Sequence, residues 1–209
     1  MRDRLLSWRS LAWIGALVFL CLGAWWLRVP FLRAVGGFLV STDAPEDVDA
    51  VYTLGGAGME RGIETARVMR AGWAPHAWFT GGNVPSALQV MGIAKVEAEV
   101  GLEAAVRAGM SPEQGDPLPV GTSTMEEALA IVAHAHAHGY RHIMVLSTRF
   151  HLRRVRYVFA PLCRQAGLTL TLHGAPSLMF DEVHWWRSEE GLLMVNNEYV
   201  KLLYYWWHY

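Results

Sequence analysis

The chain has 209 residues, which suits one globular domain with a short appendage. Its formal net charge is −1, so the positive field of a nucleic-acid-binding protein is excluded. Cys21 and Cys163 are its only cysteines and are far apart, so no disulfide framework is predicted. A hydrophobic share of 53% and ten tryptophans instead indicate contact with a lipid bilayer.

The first predicted element is a transmembrane helix. Residues 11–27 contain no charged residue and no proline, and about 17–25 apolar residues suffice to cross a bilayer. Arginines precede this segment at positions 2, 4 and 9, whereas two arginines and then four acidic residues follow it. We therefore expect a single-pass anchor in the inner (cytoplasmic) membrane, with the C-terminal domain extracytoplasmic. Trp25 and Trp26 would lie at the outer interface.

Three other interpretations compete with an uncleaved anchor at residues 11–27. A signal peptide needs small residues before its cleavage site, and two tryptophans directly follow the small residues at 23–24. A lipid-modified Cys21 needs small residues where Phe19 and Leu20 stand. A buried core helix is the third interpretation. The uncleaved anchor fits the segment best.

A stalk and a linker are predicted after the anchor. Residues 30–40 are apolar but interrupted by Pro30, an arginine and a Gly-Gly pair, which indicates a stalk or an interfacial segment. Residues 41–49 are polar and acidic, which is typical of a linker. The sequence thus divides into a membrane anchor and stalk at 1–40 and an α/β domain at 41–209.

In the domain, short apolar runs alternate with helical stretches. The predicted strands cover residues 50–54, 77–80, 118–120, 142–147 and 168–173. The predicted helices cover the residues up to about 72, then 85–108, 125–138, 152–166 and 188–205. This alternation predicts a Rossmann-like, three-layer α/β fold, whose parallel sheet carries helices on both faces. In such folds ligands bind at the carboxyl ends of the strands.

Two glycine pairs follow the first two predicted strands. Gly55 and Gly56 come after the first strand, and Gly81 and Gly82 come after the second. Glycines let backbone N–H groups approach an anion, and a helix N-terminus adds a favourable dipole. Arg61 could add a bidentate fork for phosphate or carboxylate. The alternative is two tight turns and a solvated arginine, since the spacing matches neither the dinucleotide motif nor the P-loop.

Polar residues also follow the third and fourth predicted strands. Thr124 could donate to a ligand oxygen, and Glu126 could orient an arginine or histidine, although this pattern is also ordinary helix capping. His151 and Arg154 are three residues apart and share a helix face. His151 is a candidate general acid or base, because the pKa of histidine is naturally near neutral. The alternative is a capping histidine beside an exposed arginine.

Other polar residues do not form a recognisable site in the sequence. His134 and His138 share a helical face, but no carboxylate stands at metal-ligand spacing, so no metal site is predicted. Ser147 lacks the Gly-x-Ser-x-Gly context of a nucleophile elbow. No acidic residue ends the second strand, which disfavours a standard ribose clamp. No cofactor is assigned.

Several motifs together resemble the family of YdcF, SanA and ElyC, over about residues 49–205. The stretch DAVYTLGG at 49–56 resembles the family's first strand and loop, and Arg61 stands at its helix arginine. The stretch GWAPHAWFTGG at 72–82 is similar to its G-x-A-P-x-[apolar]-[S/T]-G-G segment. Glu97 matches the family's E-A pair, and Glu198 matches its C-terminal E-Y pair. The stretch STMEE at 123–127 matches its N-T-x-E-N box, although both Asn positions are changed here. His151 and Arg154 match its T/S-S-x-x-H-x-x-R element.

The resemblance implies a Rossmann-like fold and a role in the cell envelope, including peptidoglycan and lipid-carrier metabolism. The expected partners are the bilayer and a phosphorylated or polyprenyl-linked cell-wall or surface-polysaccharide intermediate, on which a hydrolase or transferase would act. The residues expected to carry this chemistry are Arg61 and Arg154 for the anion, the backbones of Gly55, Gly56, Gly81 and Gly82 around it, His151 with Glu97 or Glu126 for the proton, and Glu198 to orient an arginine. The alternative is a non-catalytic envelope factor that binds a nucleotide or S-adenosylmethionine.

Overall fold

Helix α1, Trp8–Leu39, begins the part of the chain that the computed structural model describes, residues 8–209. Arg2 and Arg4 of the predicted arginine flank lie outside the described residues. The stretch Leu11–Leu39 has a mean hydropathy of 1.7, and no residue in its most apolar 18-residue window is buried. The helix is therefore long and apolar enough to span a membrane.

The helix continues without a break through the predicted stalk as far as Leu39. The reason is tertiary packing: Leu39 is fully buried, and the Trp185 indole donates to the Leu32 carbonyl at 3.0 Å. A Cβ atom at Gly36 would lie 2.6 Å from Trp185 Nε1. The glycine that suggests a break in the sequence instead lets α1 approach the domain closely.

Five parallel strands form one sheet in the order β3-β2-β1-β4-β5. Their bounds are β1 Ala50–Thr53, β2 Ala77–Phe79, β3 Gly115–Pro117, β4 His142–Thr148 and β5 Thr169–Ala175. The predicted Rossmann-like α/β class is thereby confirmed. The third strand lies earlier than the predicted 118–120, because Gly115 pairs with Ala77. Pro117 has no N–H to donate, which the edge position of β3 tolerates.

Helices cover both faces of the sheet. After α1 they are α2 Gly58–Arg70, α3 Ser86–Val90, α4 Glu97–Arg107, α5 Thr124–Ala137, α6 Leu152–Gln165 and α7 Glu189–His208. Short 3₁₀ turns cover Pro112–Gln114, Arg149–His151 and Glu182–Arg187. The predicted helix at 85–108 is split into α3 and α4, because Gly92 has a φ of 73° and Val96 is extended.

Two hydrophobic cores hold the three layers together. On one face α5 and α6 pack against the sheet around Tyr52 and Phe159, which are fully buried. On the other face α2 and α4 pack around Phe79. A Cβ atom at Gly62 would lie 2.6 Å from the Gly101 carbonyl oxygen, so α2 and α4 touch through backbone. Each large apolar side chain buried in this way contributes about 1.5–3 kcal/mol.

The segment after α1 runs along the sheet from its carboxyl edge to its amino edge. The end of α1 packs beside Phe150, which follows β4. The Asp43 N–H then donates to the Leu172 carbonyl in the middle of β5 at 2.9 Å. The Asp49 carboxylate accepts the N–H of His142, the first residue of β4, at 2.8 Å. Helix α1 therefore joins the domain at the carboxyl edge of the sheet.

Candidate functional site

A cavity of about 440 Å³ opens where β1 and β4 end, at the point where the strand order reverses. Ligands of open α/β sheets bind at this position. The predicted site residues that line the cavity are Gly55, Gly56, Arg61, Glu97, Thr124, His151 and Arg154. Cavities of about 500 and 570 Å³ lie at the end of α1 and between α2 and α4. Within the described chain, the buried Arg61 and Arg154 line only the cavity of about 440 Å³. This cavity is therefore the candidate site.

The two glycine pairs meet through Gly55 and Gly81. A Cβ atom at Gly55 would lie 2.8 Å from the Gly81 Cα, and Gly81 has a φ of 107°, so a side chain fits at neither position. The Gly55 N–H donates to Glu127 Oε1 at 2.8 Å, and Thr80 Oγ1 donates to the same oxygen at 2.7 Å. Gly81 and Gly82 both lie outside the cavity lining, and the Gly82 N–H donates to the Gly121 carbonyl in the loop before α5.

Arg61 is a buried cation without a carboxylate within 4 Å among the described residues. Its guanidinium donates instead to the carbonyls of Leu54 (3.1 Å) and Gly55, to Thr148 Oγ1 (3.0 Å) and to His151 Nδ1 (2.7 Å). Its Nε has no partner within residues 8–209. Burial lowers the pKa of Arg61 to about 10, which leaves the group charged at neutral pH. An unpaired buried charge favours an anionic ligand.

The His151 side chain holds Arg61 in place. Its Nδ1 accepts from Arg61 and lies 3.1 Å from Thr148 Oγ1, so the ring hydrogen is on Nε2. Nε2 lies 3.2 Å from Met194 Sδ and 3.5 Å from Glu198 Oε1. Burial and the Arg61 charge lower the pKa of His151 well below its ordinary value. The expectation of an ordinary, near-neutral pKa is therefore corrected, and the charged group that His151 contacts through Nδ1 is Arg61.

Arg154 is already paired within the protein. Its Nε and Nη2 donate to the two carboxylate oxygens of Glu198 at 2.9 and 3.0 Å, and its Nη1 donates to Thr124 Oγ1. Glu198 is fully buried and also accepts from Lys201 Nζ at 3.2 Å. The sequence predicts that Glu198 orients an arginine, and in the structure Glu198 accepts two hydrogen bonds from Arg154. Because Arg154 is neutralised, it shapes the cavity wall more than it attracts an anion.

The two carboxylates predicted to move a proton lie in different surroundings. Glu126 is exposed and accepts from the Thr122 N–H and hydroxyl at 2.8 and 2.7 Å, which lowers its pKa. It lies outside the cavity lining, so the structure does not bring it together with His151 and Arg154. Glu97 lines the cavity, and burial followed by the charge of Glu127 raises its pKa. Glu97 is thus the carboxylate suited to exchange a proton.

The cavity lining also includes Glu127, Ser147 and Lys201, which are not among the predicted site residues. Glu127 lies inside the cavity, where the sequence analysis expected its neighbour Glu126. Ser147 is buried, lines the cavity, and its hydroxyl has no partner within residues 8–209. Lys201 lines the rim and is half exposed. Ser147 follows the rule that residues at strand ends form the site, whereas Lys201 could be found from its spacing to Glu198.

The paired histidines of α5 form part of an aromatic cluster. His134 Nδ1 lies 2.8 Å from the Tyr52 hydroxyl, and its ring stacks on His138 at 4.1 Å. Over residues 8–209, no three His, Cys, Asp or Glu side chains are grouped so that they could hold a metal ion. The two rings therefore act as packing groups at the edge of the core.

No protein-family model matches the chain, and no curated protein matches it in sequence. The resemblance to YdcF, SanA and ElyC therefore rests on the motifs alone and stays a prediction. The geometry of the cavity is what supports a function.

Proposed function

We propose that the protein is a membrane-anchored hydrolase or transferase of the cell envelope that acts on a phosphorylated or polyprenyl-linked cell-wall or surface-polysaccharide intermediate. The observation that carries the proposal is Arg61, a buried charge beside the Gly55–Gly56 turn without a carboxylate partner in the described chain. A phosphate complements it, because phosphate supplies negative charge and several acceptor oxygens. The motif resemblance to YdcF, SanA and ElyC supports the envelope setting.

The anion would lie between the glycine turns and the start of α5. Gly56 and Thr124 line this space, and α2 and α5 begin beside it, so two helix dipoles favour negative charge there. Lys201, half exposed at the rim and 3.2 Å from Glu198 Oε1, would add a second cation. The unpaired Ser147 hydroxyl is available to donate to the ligand. Together these groups would stabilise charge that develops on a phosphoryl group.

The proton would be moved by Glu97. Its carboxylate lies against Gly55, where a Cβ atom would be 2.6 Å from Glu97 Oε2. A carboxyl group with a raised pKa is a better general acid or base near neutral pH than an ordinary one. In this assignment His151 contributes by fixing the guanidinium of Arg61.

The membrane setting is part of the proposal. Helix α1 would be an uncleaved span of the inner membrane with the domain on the extracytoplasmic side, as the arginine flank before residue 11 favours. An alkaline phosphatase fused after Tyr209 should then be active. A strongly active cytoplasmic reporter at the same position would reverse the topology.

The test of the ligand site uses the full-length chain in detergent. Inorganic pyrophosphate and a short polyprenyl phosphate should bind, and Arg61→Ala should weaken binding by about 1.5–3 kcal/mol, the range for hydrogen bonds to a charged group. The matched control is Arg67→Ala on the same helix, where the side chain is 60% exposed. Circular dichroism checks the fold, and Arg61→Lys replaces the alanine variant if that variant fails to fold.

Turnover separates an enzyme from a binding protein. Glu97→Gln should slow phosphate release or transfer by about 10²–10⁴-fold while binding is kept, because its interaction matters mainly in the transition state. The proposal fails if neither phosphate compound binds, or if Arg61→Ala and Arg67→Ala bind equally. Binding without any turnover would leave the non-catalytic alternative.

A further inference from the structure

The outer side of α7 carries an apolar strip. The inner side of this helix buries Gly191, Val195, Glu198 and Tyr205. The outer side exposes the large side chains that form what we call the α7 strip: Leu192, Leu193, Val200, Leu203, Tyr204, Trp206 and Trp207. Trp207 is 84% exposed. Exposed Asn196 and Asn197 separate Leu192 and Leu193 from the larger stretch between Val200 and Trp207. Monomeric soluble domains rarely leave so many large apolar side chains of one helix in water.

Helix α7 lies across the carboxyl edge of the sheet, between α1 and the candidate site. At one point its Tyr199 ring stacks on Phe38 of α1 at 6.1 Å, and the Tyr199 hydroxyl donates to the Val35 carbonyl at 2.7 Å. Further along, Tyr204 and Tyr205 line the cavity. The strip thus extends from α1 to the mouth of the cavity.

The same edge of the domain lies close to the end of the predicted membrane span. Helix α1 first touches the domain at Leu32, through the Trp185 indole. Leu32 is five helical steps beyond Leu27, which is about 7.5 Å at 1.5 Å per residue. The headgroup region on each side of a bilayer is roughly 5–8 Å thick. Since α1 is continuous, the domain is held against the membrane surface rather than on a flexible tether.

We propose that the α7 strip docks into the interfacial layer of the bilayer that α1 crosses. This inference rests on the proposed anchorage of α1. Aromatic residues concentrate at the C-terminal end of α7, and tryptophan and tyrosine prefer the headgroup level. The docked strip brings the mouth of the cavity to that level, where a phosphate carried by a lipid is presented. Lys201, between the strip and the cavity, faces the same layer.

The experiment measures the depth of single labels on the full chain in lipid nanodiscs that hold one copy each. Cysteines at Val200→Cys and Leu203→Cys carry a fluorophore in a Cys21→Ser background, since Cys163 is buried. Lipids with a nitroxide near the headgroup quench labels at the interface. The control is Gln165→Cys, exposed at the far end of α6 on the amino edge of the sheet. A label on the native Cys21 reports the insertion of α1.

We expect quenching at 200 and 203 to be several-fold stronger than at 165, with Cys21 also quenched by lipids labelled deeper in the chain. If 200 and 203 behave like 165 while Cys21 is quenched, docking is refuted and the anchorage stands. If Cys21 is not quenched, the anchorage itself fails. A second preparation uses discs that hold two copies each. If labels at 200 and 203 are shielded from aqueous iodide only in that preparation, a second copy covers the strip, which also refutes the proposal.

Discussion

Glu198→Gln should destabilise the protein strongly. The change leaves Arg154, a residue that is 6% exposed, without the carboxylate that accepts from its guanidinium at 2.9 and 3.0 Å. An amide can accept one of these bonds but presents an N–H to the other donor. Removing one partner of a buried ion pair costs about 3–5 kcal/mol, because the remaining charge stays desolvated. For a chain of this size each kcal/mol lowers Tm by about 2–4 °C, so a fall of about 6–20 °C is expected.

The assay is thermal unfolding of the full chain in detergent, followed by circular dichroism. The control is Glu103→Gln, which removes an exposed carboxylate that pairs with Lys95 and Arg107 and should leave Tm unchanged. The double variant Arg154→Met, Glu198→Leu removes both charges and should recover much of the loss. A Tm for Glu198→Gln equal to that of the control would refute the idea that this pair fixes the cavity wall.

Three other outcomes follow from the site. His151 has a lowered pKa, so below about pH 6.5 the unfolded chain takes up a proton that the folded chain does not. This group should lower the free energy of unfolding by up to about 1.4 kcal/mol for each pH unit of acidification. Denaturation of His151→Asn should therefore show a smaller loss of stability between about pH 6.5 and 5 than the parent chain. Gly81→Ala should cost about 1–3 kcal/mol more than Gly139→Ala, since both have positive φ but only Gly81 has close neighbours; equal Tm values would contradict this. If phosphate release occurs, its pH profile should lose a limb in Glu97→Gln, and an unchanged profile would remove Glu97 from proton transfer.

Much of the fold could be predicted because local patterns and the global fold agree. The predicted strand at 142–147 matches β4, His142–Thr148, because its central residues 143–146 are continuously apolar, as in a strand that is buried on both faces. The glycine pair at 55 and 56 marks the end of β1, because Gly56 has a φ of 106° that only glycine adopts easily. The positions after β1 and β4 could be placed on one edge by the parallel topology alone.

The rest depends on contacts between distant parts of the chain. The continuity of α1 comes from Trp185, which lies 153 residues beyond the Leu32 carbonyl that it binds. The lowered pKa of His151 comes first from burial and then from the charge of Arg61, which lies 90 residues earlier in the chain. The choice between Glu126 and Glu127 depends on the rotation of α5, which one sequence cannot fix when both neighbours are acids. Long-range packing decided each of these points.

The close contact between Gly36 and Trp185 has a mechanical consequence. It fixes the domain to one side of α1, so the orientation of the domain depends on the rotation of α1 about its own axis. Each residue inserted between positions 27 and 32 would turn the domain by about 100° around the helix axis and lift it by about 1.5 Å. One inserted residue would therefore swing the carboxyl edge of the sheet sideways, whereas seven, close to two full turns, would nearly restore its direction about 10 Å further along the axis. The length of this short stretch is thus constrained in steps of a helical turn, even though few of its side chains touch the domain.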